Sequence, residues 1–562
     1  MNRKWEVYEQ NQEAIETLEK EYQVSPLLAN ILANRNIISK EEVRLFLNPT
    51  RNDFHNPFLM PDMEIAVSRV LQAIQNQEKT IIYGDYDVDG ITSITVLKQF
   101  LKERGLEVGA YTPNRLSEGY GLNKPAVQKL HEQGYHLMIT VDCGISCIEE
   151  IDCANSLGME VIVTDHHEPG EKLPNALAVV DAKRKDNEYP FNQLAGVGVV
   201  FKLIQALSMK LELNEKEYLK YLDIVCVGTI SDIVPLIDEN RVIAQLGLKL
   251  VNITQNIGLK TLLHSIGYRN IDSSSISFGV APRINACGRL GAQEKALQLF
   301  LTEDFQEANQ ITQELNEYNQ KRQQTEKRIF EEALQQVEQK EKESPCLILG
   351  SEGWHHGVIG IVASKITDIY FKPSILICFE GEEGKGSGRS IPGFDLHEAL
   401  MNCPTYIEKF GGHSMAIGIS LHKENFQNFK KELNEYAKKH HIHDIIPIVK
   451  IDKEVSLKEI SLEAVKSLAL LEPYGEGNKM PIFLLKSLKI NSIRTLSEGK
   501  HLKLTLQQDN YLIDAIGFNL GNVAEQYLIG DKIDLVGSLE INQFNGLEQV
   551  QMNIKDIRKS MK

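Results

Sequence analysis

A chain of 562 residues is too long for one hydrophobic core and predicts three or four domains. Its 42% hydrophobic and 25% charged content is that of an ordinary globular protein; no apolar run is long enough for a membrane span, and "MNRKWEVYEQNQEAIE" lacks a signal-peptide core, so a cytoplasmic location is expected. A net charge of −16 excludes a protein that coats nucleic acid through a basic surface, but not an enzyme that grips a few phosphates in one channel.

Beyond an N-terminal helical stretch, residues 80–83 read as a short buried strand, and "GDYDVDG" follows at once. Three carboxylates on alternate positions repel one another unless a cation sits among them. An EF-hand calcium loop needs a glutamate at its twelfth position, where Val96 stands, and an entering helix, where a strand is predicted. A solvated acidic turn is the blander alternative. Further strand-like runs lie at 108–111, 137–141, 160–164 and 177–180, with helical stretches at 91–104, 124–133 and 148–157, which predicts a parallel α/β sheet. Ligands of such sheets bind beyond the carboxyl ends of the strands. Here "GDYDVDG", "TPNRLSEGYG", "DCG" and "DHH" end four successive strands, a coincidence that a solvated turn does not require.

Farther along, "VGTISDIVPL" carries Asp232, and "APRINACGRL" offers Arg283, Asn285 and Arg289. The polar stretch 303–343 has Phe305, Ala308, Ile311, Leu315 and Tyr318 at helical spacing. It reads as a helix connecting two lobes or, equally well on pattern alone, as a surface helix of the first. From about residue 345 a second α/β unit begins, whose glycine clusters admit an anion close to the backbone, with Ser387, Arg389 and His413 as side-chain contacts. The last region, from about 445, is strand-rich, with hairpin cues at Asp509-Asn510 and Asn545-Gly546, and suits a small OB-type barrel. Tyr511, Phe518 and Phe544 are candidate base-stacking platforms there, or ordinary core aromatics. The eight cysteines form no CxxC pair, and Cys143 with Cys147 lacks the second pair that a zinc site needs.

"GDYDVDG", "VDCG", "TDHHEPG", "GTISDIVPL", "PRINACGRL", "GWHHGVIGIVASKI", "GSGRS" and "FGGHSMAIG" occur in the order found in the DHH phosphoesterases, which the chain resembles from about residue 25 to its end. The later motifs and the added C-terminal domain are similar to those of the single-stranded-DNA exonucleases of that superfamily. The resemblance implies an α/β fold. An N-terminal helical lead-in (1–60) precedes a parallel-sheet DHH catalytic domain (61–302), a connecting helix (303–343), a smaller α/β DHHA1 domain (344–444) and a C-terminal OB-fold β-barrel (445–562). It also implies 5′ to 3′ release of mononucleotides from single-stranded DNA in repair and recombination, with two Mn2+ or Mg2+ ions.

Carried over by position, Asp87 is a ligand of one ion, Asp89, His166 and Asp232 hold the other, and Asp142 bridges both. Asp85 supports the first ion, and His167 contacts the substrate phosphate or leaving group. The chain departs from many superfamily members at Tyr83, where they carry a histidine ligand. Carboxylate and imidazole suit manganese, and a mainly oxygen shell also admits magnesium. Two such ions about 4 Å apart activate water without a serine or cysteine nucleophile. Arg115, Arg289, Ser387 and Arg389 are expected around the 5′ phosphate, since arginine forks suit a terminal phosphate, with His413 as a further phosphate contact. The resemblance also implies single-strand-binding protein and a helicase as partners; a monomer with no membrane contact is the default expectation. A DHH phosphodiesterase of short oligonucleotides or cyclic dinucleotides, and a non-catalytic replication scaffold, are the competing readings.

Overall fold

The computed structural model describes residues 3–115, 117–544 and 546–560, without the side chain of Phe544. The chain opens with strand β1 (Lys4–Val7) and three helices, Gln12–Tyr22, Pro26–Asn34 and Lys40–Leu47. Asn11, Ser25 and Ser39 cap these helices through side-chain oxygens, and Glu42 completes a capping box with Ser39.

Strands β2 (Thr80–Gly84), β3 (Gly109–Tyr111), β4 (Leu137–Val141), β5 (Glu160–Thr164) and β6 (Ala178–Val180) form a wholly parallel sheet in the order β3-β2-β4-β5-β6. The strands read as continuous apolar runs because both faces are covered. Ile82, Ile139, Val141 and Ile162 pack against the helices Met63–Asn76, Val88–Glu103 and Gly196–Lys210. Ile81, Tyr83, Met138 and Val161 pack on the opposite side against Lys124–Glu132 and Ile148–Ser156. The strand order reverses between β2 and β4. The crevice at their carboxyl ends is therefore where such a sheet binds ligands.

The helix Phe305–Gln336, about 48 Å long for its 32 residues, joins two cores. Ala308, Ile311 and Leu315 belong to the core of the parallel-sheet domain, and Ile329 and Ala333 to that of the next domain. Phe305 departs from the expected apolar stripe: it is 62% exposed, because it stands on the first turn, ahead of the buried stretch. The second domain carries β7 (Leu347–Glu352), β8 (Ser374–Glu380), β9 (Glu383–Arg389), β10 (Lys409–His413) and β11 (Ala416–His422), ordered β10-β11-β9-β8-β7, with β7 and β8 parallel and the other pairs antiparallel.

Strands β12 (Ile448–Ile451) and β13 (Lys453–Glu454) lead into β14 (Phe483–Leu496), β15 (His501–Gln508), β16 (Tyr511–Gly517), β17 (Lys532–Phe544) and β18 (Leu547–Lys559). The last five close a barrel in the order β14-β15-β16-β18-β17, with β17 returning to β14 and β16 parallel to β18, the arrangement of an OB-fold. The expected hairpin at Asp509-Asn510 forms, with Asp509 at φ 53°. At the second cue β17 and β18 pair antiparallel up to Phe544 and Leu547, while Asn545 lies outside the described residues.

The N-terminal helices are a cover for this barrel. Leu18, Leu28, Ile31 and Leu32 share one core with Leu485, Leu504 and Leu535, and β1 pairs in parallel with β12. No described helix is long and apolar enough to cross a membrane.

Candidate metal centre and anion pocket

The crevice between β2 and β4 gathers seven of the expected residues. Asp85, Asp87 and Asp89 follow β2, Asp142 follows β4, His166 and His167 follow β5, and Asp232 caps the C-terminus of the helix Leu222–Ser231. His166 Nε2 is the hub: Asp142 Oδ1 lies 3.1 Å away, and Asp89 Oδ2 and Asp232 Oδ2 each lie 3.7 Å away. Asp85, Asp87 and Asp142 form an adjoining group whose ligand atoms lie within 4.8 Å of one another. Asp142 thus stands between two clusters, as a bridging ligand must.

Local structure dictates these positions. Asp87 caps the helix Val88–Glu103, its Oδ1 accepting from the amides of Asp89 and Gly90 at 2.9 and 3.1 Å. Asp89 is held by another helix start, accepting from the Gly196 and Val197 amides at 2.6 and 2.7 Å. Asp142 adopts φ 56°, a left-handed conformation uncommon for a residue with a side chain and concentrated at functional sites. A Cβ on Gly196 would lie 2.7 Å from that of Asp142, so only glycine lets the helix start approach so closely.

The donor set fits a divalent cation. His166 Nε2 and Asp85 Oδ1 are buried with no hydrogen-bond partner among the described residues, a costly arrangement unless a metal satisfies them. Burial and mutual repulsion push Asp85, Asp142 and Asp232 well above the ordinary carboxylate range, and Asp89 up to about 7. Burial, reinforced by the charge of His167, drives His166 down to about 3. It is therefore neutral, the form that ligates metals. Tyr83 takes no part: its hydroxyl donates to the Gly121 carbonyl at 3.1 Å on the other side of the sheet.

Two residues that the sequence reading had not singled out complete this centre. Asp165, the first letter of "DHH", is buried and accepts from the Ile145 and His166 amides at 2.9 and 2.8 Å. Its Oδ1 lies 2.7 Å from His167 Nδ1, which turns Nε2 away from the sheet. Burial alone would raise Asp165; the hydrogen bond and charge of His167 outweigh it and hold the carboxyl below its usual range. Tyr120, 56% exposed, places its hydroxyl 3.2 Å from His167 Nε2. The motif letter could have signalled Asp165, whereas nothing in the spacing signals Tyr120.

Beside this centre four arginines converge. The Arg115 guanidinium lies 5.4 Å from the Tyr86 ring, between Asp85 and Asp87 in sequence. Arg289 donates to the Gly357 carbonyl at 3.0 Å, and Arg389 to Ser387 Oγ at 3.2 Å. Burial, and then the charges of Arg115, Arg322 and Arg389, lower Arg289 to about 10; burial and Arg115 also lower Arg389. Arg322, from the connecting helix, was not foreseen because its neighbours read as a solvated face. Arg289 and Arg389, partly freed from water beside Arg115, call for an anion, while Arg322 is already paired with Glu326; the helix start His356–Tyr370 adds its dipole at the same place. Gly360 gives Ser387 its room, since a Cβ there would lie 2.9 Å from its hydroxyl.

The structure does not draw every candidate in. His413 is exposed at the end of β10, in register with Arg389 through Ala416 but one strand removed. Arg283 is tied to Asn316 Oδ1 at 2.6 Å and the Gly279 carbonyl at 2.7 Å, a packing role, and the Asn285 side-chain oxygen is buried without a hydrogen-bond partner among the described residues. On the barrel, Tyr511 and Phe518 are 45% and 52% exposed and so are not core residues, while the Phe544 side chain lies outside the described residues. All eight cysteines are free.

Comparison with known proteins matches residues 79–229 to the DHH family N-terminal domain, 343–439 to the DHHA1 domain and 451–556 to the RecJ OB domain. The single-stranded-DNA-specific exonuclease RecJ of Bacillus subtilis is 38% identical over 98% of this chain and 70% of its own length. That of Escherichia coli is 31% identical over 99% of both. Thermus thermophilus RecJ in complex with Mn2+ superposes with a TM-score of 0.87 at 30% identity, covering all of this chain and 80% of that one; a complex with Mg2+ gives 0.80 at 29%, covering all of this chain and 79% of that one.

Proposed function

The chain belongs to the RecJ family of single-stranded-DNA-specific exonucleases, and from that premise we propose that it removes mononucleotides from the 5′ end of single-stranded DNA with Mn2+ or Mg2+ as cofactor. One observation carries the reading: a carboxylate–histidine cluster at the switch point of a parallel sheet, flanked by converging arginines. Asp87, Asp142 and Asp85 hold one ion, and Asp89, Asp142, His166 and Asp232 the other. Two such ions, when bound, supply the Lewis acidity that activates water and neutralises charge at the attacked phosphate.

The chain's own groups do the rest. Asp142 fixes the spacing of the two halves, and Gly196 allows its approach. Asp165 locks His167 in one tautomer so that Nε2 hydrogen-bonds the scissile phosphate or the leaving oxygen, with the Tyr120 hydroxyl beside it. Arg115, Arg289, Arg389 and Ser387, joined by Arg322, bind the 5′ phosphate and so count one nucleotide from the end. The barrel binds the remaining strand, with Tyr511 and Phe518 as stacking platforms. DNA repair and recombination in the cytoplasm, partnership with single-strand-binding protein and a helicase, and a monomeric state complete the proposal.

The test is digestion of a single strand labelled separately at each end, with Mn2+ and a blunt duplex control. Mononucleotides from the 5′ end of the single strand alone, absent with Asp142→Ala, are expected. Release from the 3′ end, or equal attack on duplex, would refute the proposal.

A further inference from the structure

On the side of the metal centre away from the arginines, the chain does something unusual. Arg115 and Tyr86 mark the Asp85 end of the cluster, and Asp232 marks the other. Immediately after Asp232 the backbone enters φ 63° at Ile233, a conformation that β-branched residues avoid, and leaves that side chain 70% exposed. Ile233 and Val234 form one wall of a groove of about 900 Å3; Leu470 and Met480 lie across it, and Phe278 lines it 77% exposed from a π-helical turn, Ser275–Val280. Such turns are frequent at functional sites. The walls are tied together, for the Leu236 amide donates to the Glu476 carbonyl at 2.8 Å, and the Ser273 hydroxyl donates to the Tyr474 carbonyl at 2.7 Å.

We infer that this groove receives the bases of the strand beyond the first nucleotide 3′ of the scissile bond, with Phe278 as the stacking surface and Ile233 as a wedge at its entrance. The inference rests on the exonuclease reading above and adds a subsite to it. A strand whose 5′ phosphate sits among the arginines and whose first phosphodiester lies over Asp142 must leave past Asp232, which is where the groove begins. Its lining favours bases over phosphates: the walls are mainly apolar, and among the charged groups Asp272, Glu472 and Glu476 outnumber Lys249 and Lys479. A flat, apolar, sequence-indifferent base face matches an exposed phenylalanine.

The test compares KM for 5′-phosphorylated (dT)12 and for the 5′-phosphorylated dinucleotide, in the full chain with Mn2+. Phe278→Ala is expected to raise KM for the 12-mer at least about five-fold, the low end of what stacking one base contributes, and to move the dinucleotide KM far less. Phe278→Trp is expected to restore KM, with its indole fluorescence quenched by the 12-mer. Equal changes on both substrates, no change on either, or an indole that the 12-mer leaves unquenched would overturn the subsite. Wild type releasing no 5′ mononucleotide from either substrate would overturn the exonuclease reading, and the subsite with it.

Discussion

The buried carboxylates decide the chemistry one side chain at a time. Without metal, Asp85, Asp89, Asp142 and Asp232 hold protons to higher pH in the folded chain than unfolded carboxylates, which titrate near about 4. The folded state then binds more protons than the unfolded one, so the metal-free protein loses stability as pH rises from about 4 through the raised values, about 7 for Asp89. Melting temperatures in chelator should therefore fall between pH 6 and 8, and the stabilisation by Mn2+ should grow over the same interval; a gain independent of pH would contradict the cluster's electrostatics. Asp165 acts through its neighbour. Asp165→Asn should cut kcat by about 10- to 100-fold with KM and melting temperature nearly unchanged, measured on a single strand at saturating Mn2+. A matching loss in KM would mean that His167 binds substrate without serving the chemical step.

At the scale of elements, the parallel sheet was legible because each strand is a short apolar run ended by polar letters: 137–141 and 160–164 coincide with β4 and β5. Most of the candidate metal ligands were legible because they follow those strand ends within a few residues, whereas Asp232 follows a helix, and their separate roles were implied by the family resemblance. What escaped depends on contacts between distant segments. Arg322 lies on a helix whose sequence reads as a solvated face, and only the fold turns it toward Arg289. Tyr120 meets His167 across 47 residues. Phe305 fits the apolar spacing but stands before the helix reaches its core. The glycine at 196 was equally silent, since its reason is the nearby Asp142 carboxylate. Gly196→Ala should fold, yet displace Asp142 and lower turnover by about 100-fold, as small misplacements of catalytic groups do; a variant with normal turnover would show that the helix start yields freely.

Across the whole molecule, the two chain ends meet. The N-terminal helices share a core with the barrel, so residues 12–47 stabilise the last domain, and Leu32 is fully buried at that junction. Leu32→Ala should cost about 2–5 kcal/mol, with amide exchange accelerated in β14–β18 and little altered in β2–β6. Uniform acceleration would mean that the domains unfold as one unit. The connecting helix couples the metal centre to the arginine pocket, because one end is packed in each domain and Arg322 lies between them. All of these roles depend on one claim, that two cations share Asp142. The most direct measurement is Mn2+ binding to the full chain by titration with paramagnetic resonance. Two ions per chain with a spin-coupled signal, reduced to one uncoupled ion in Asp232→Ala, are predicted. A single ion in the wild type, or two ions without coupling, would contradict the account.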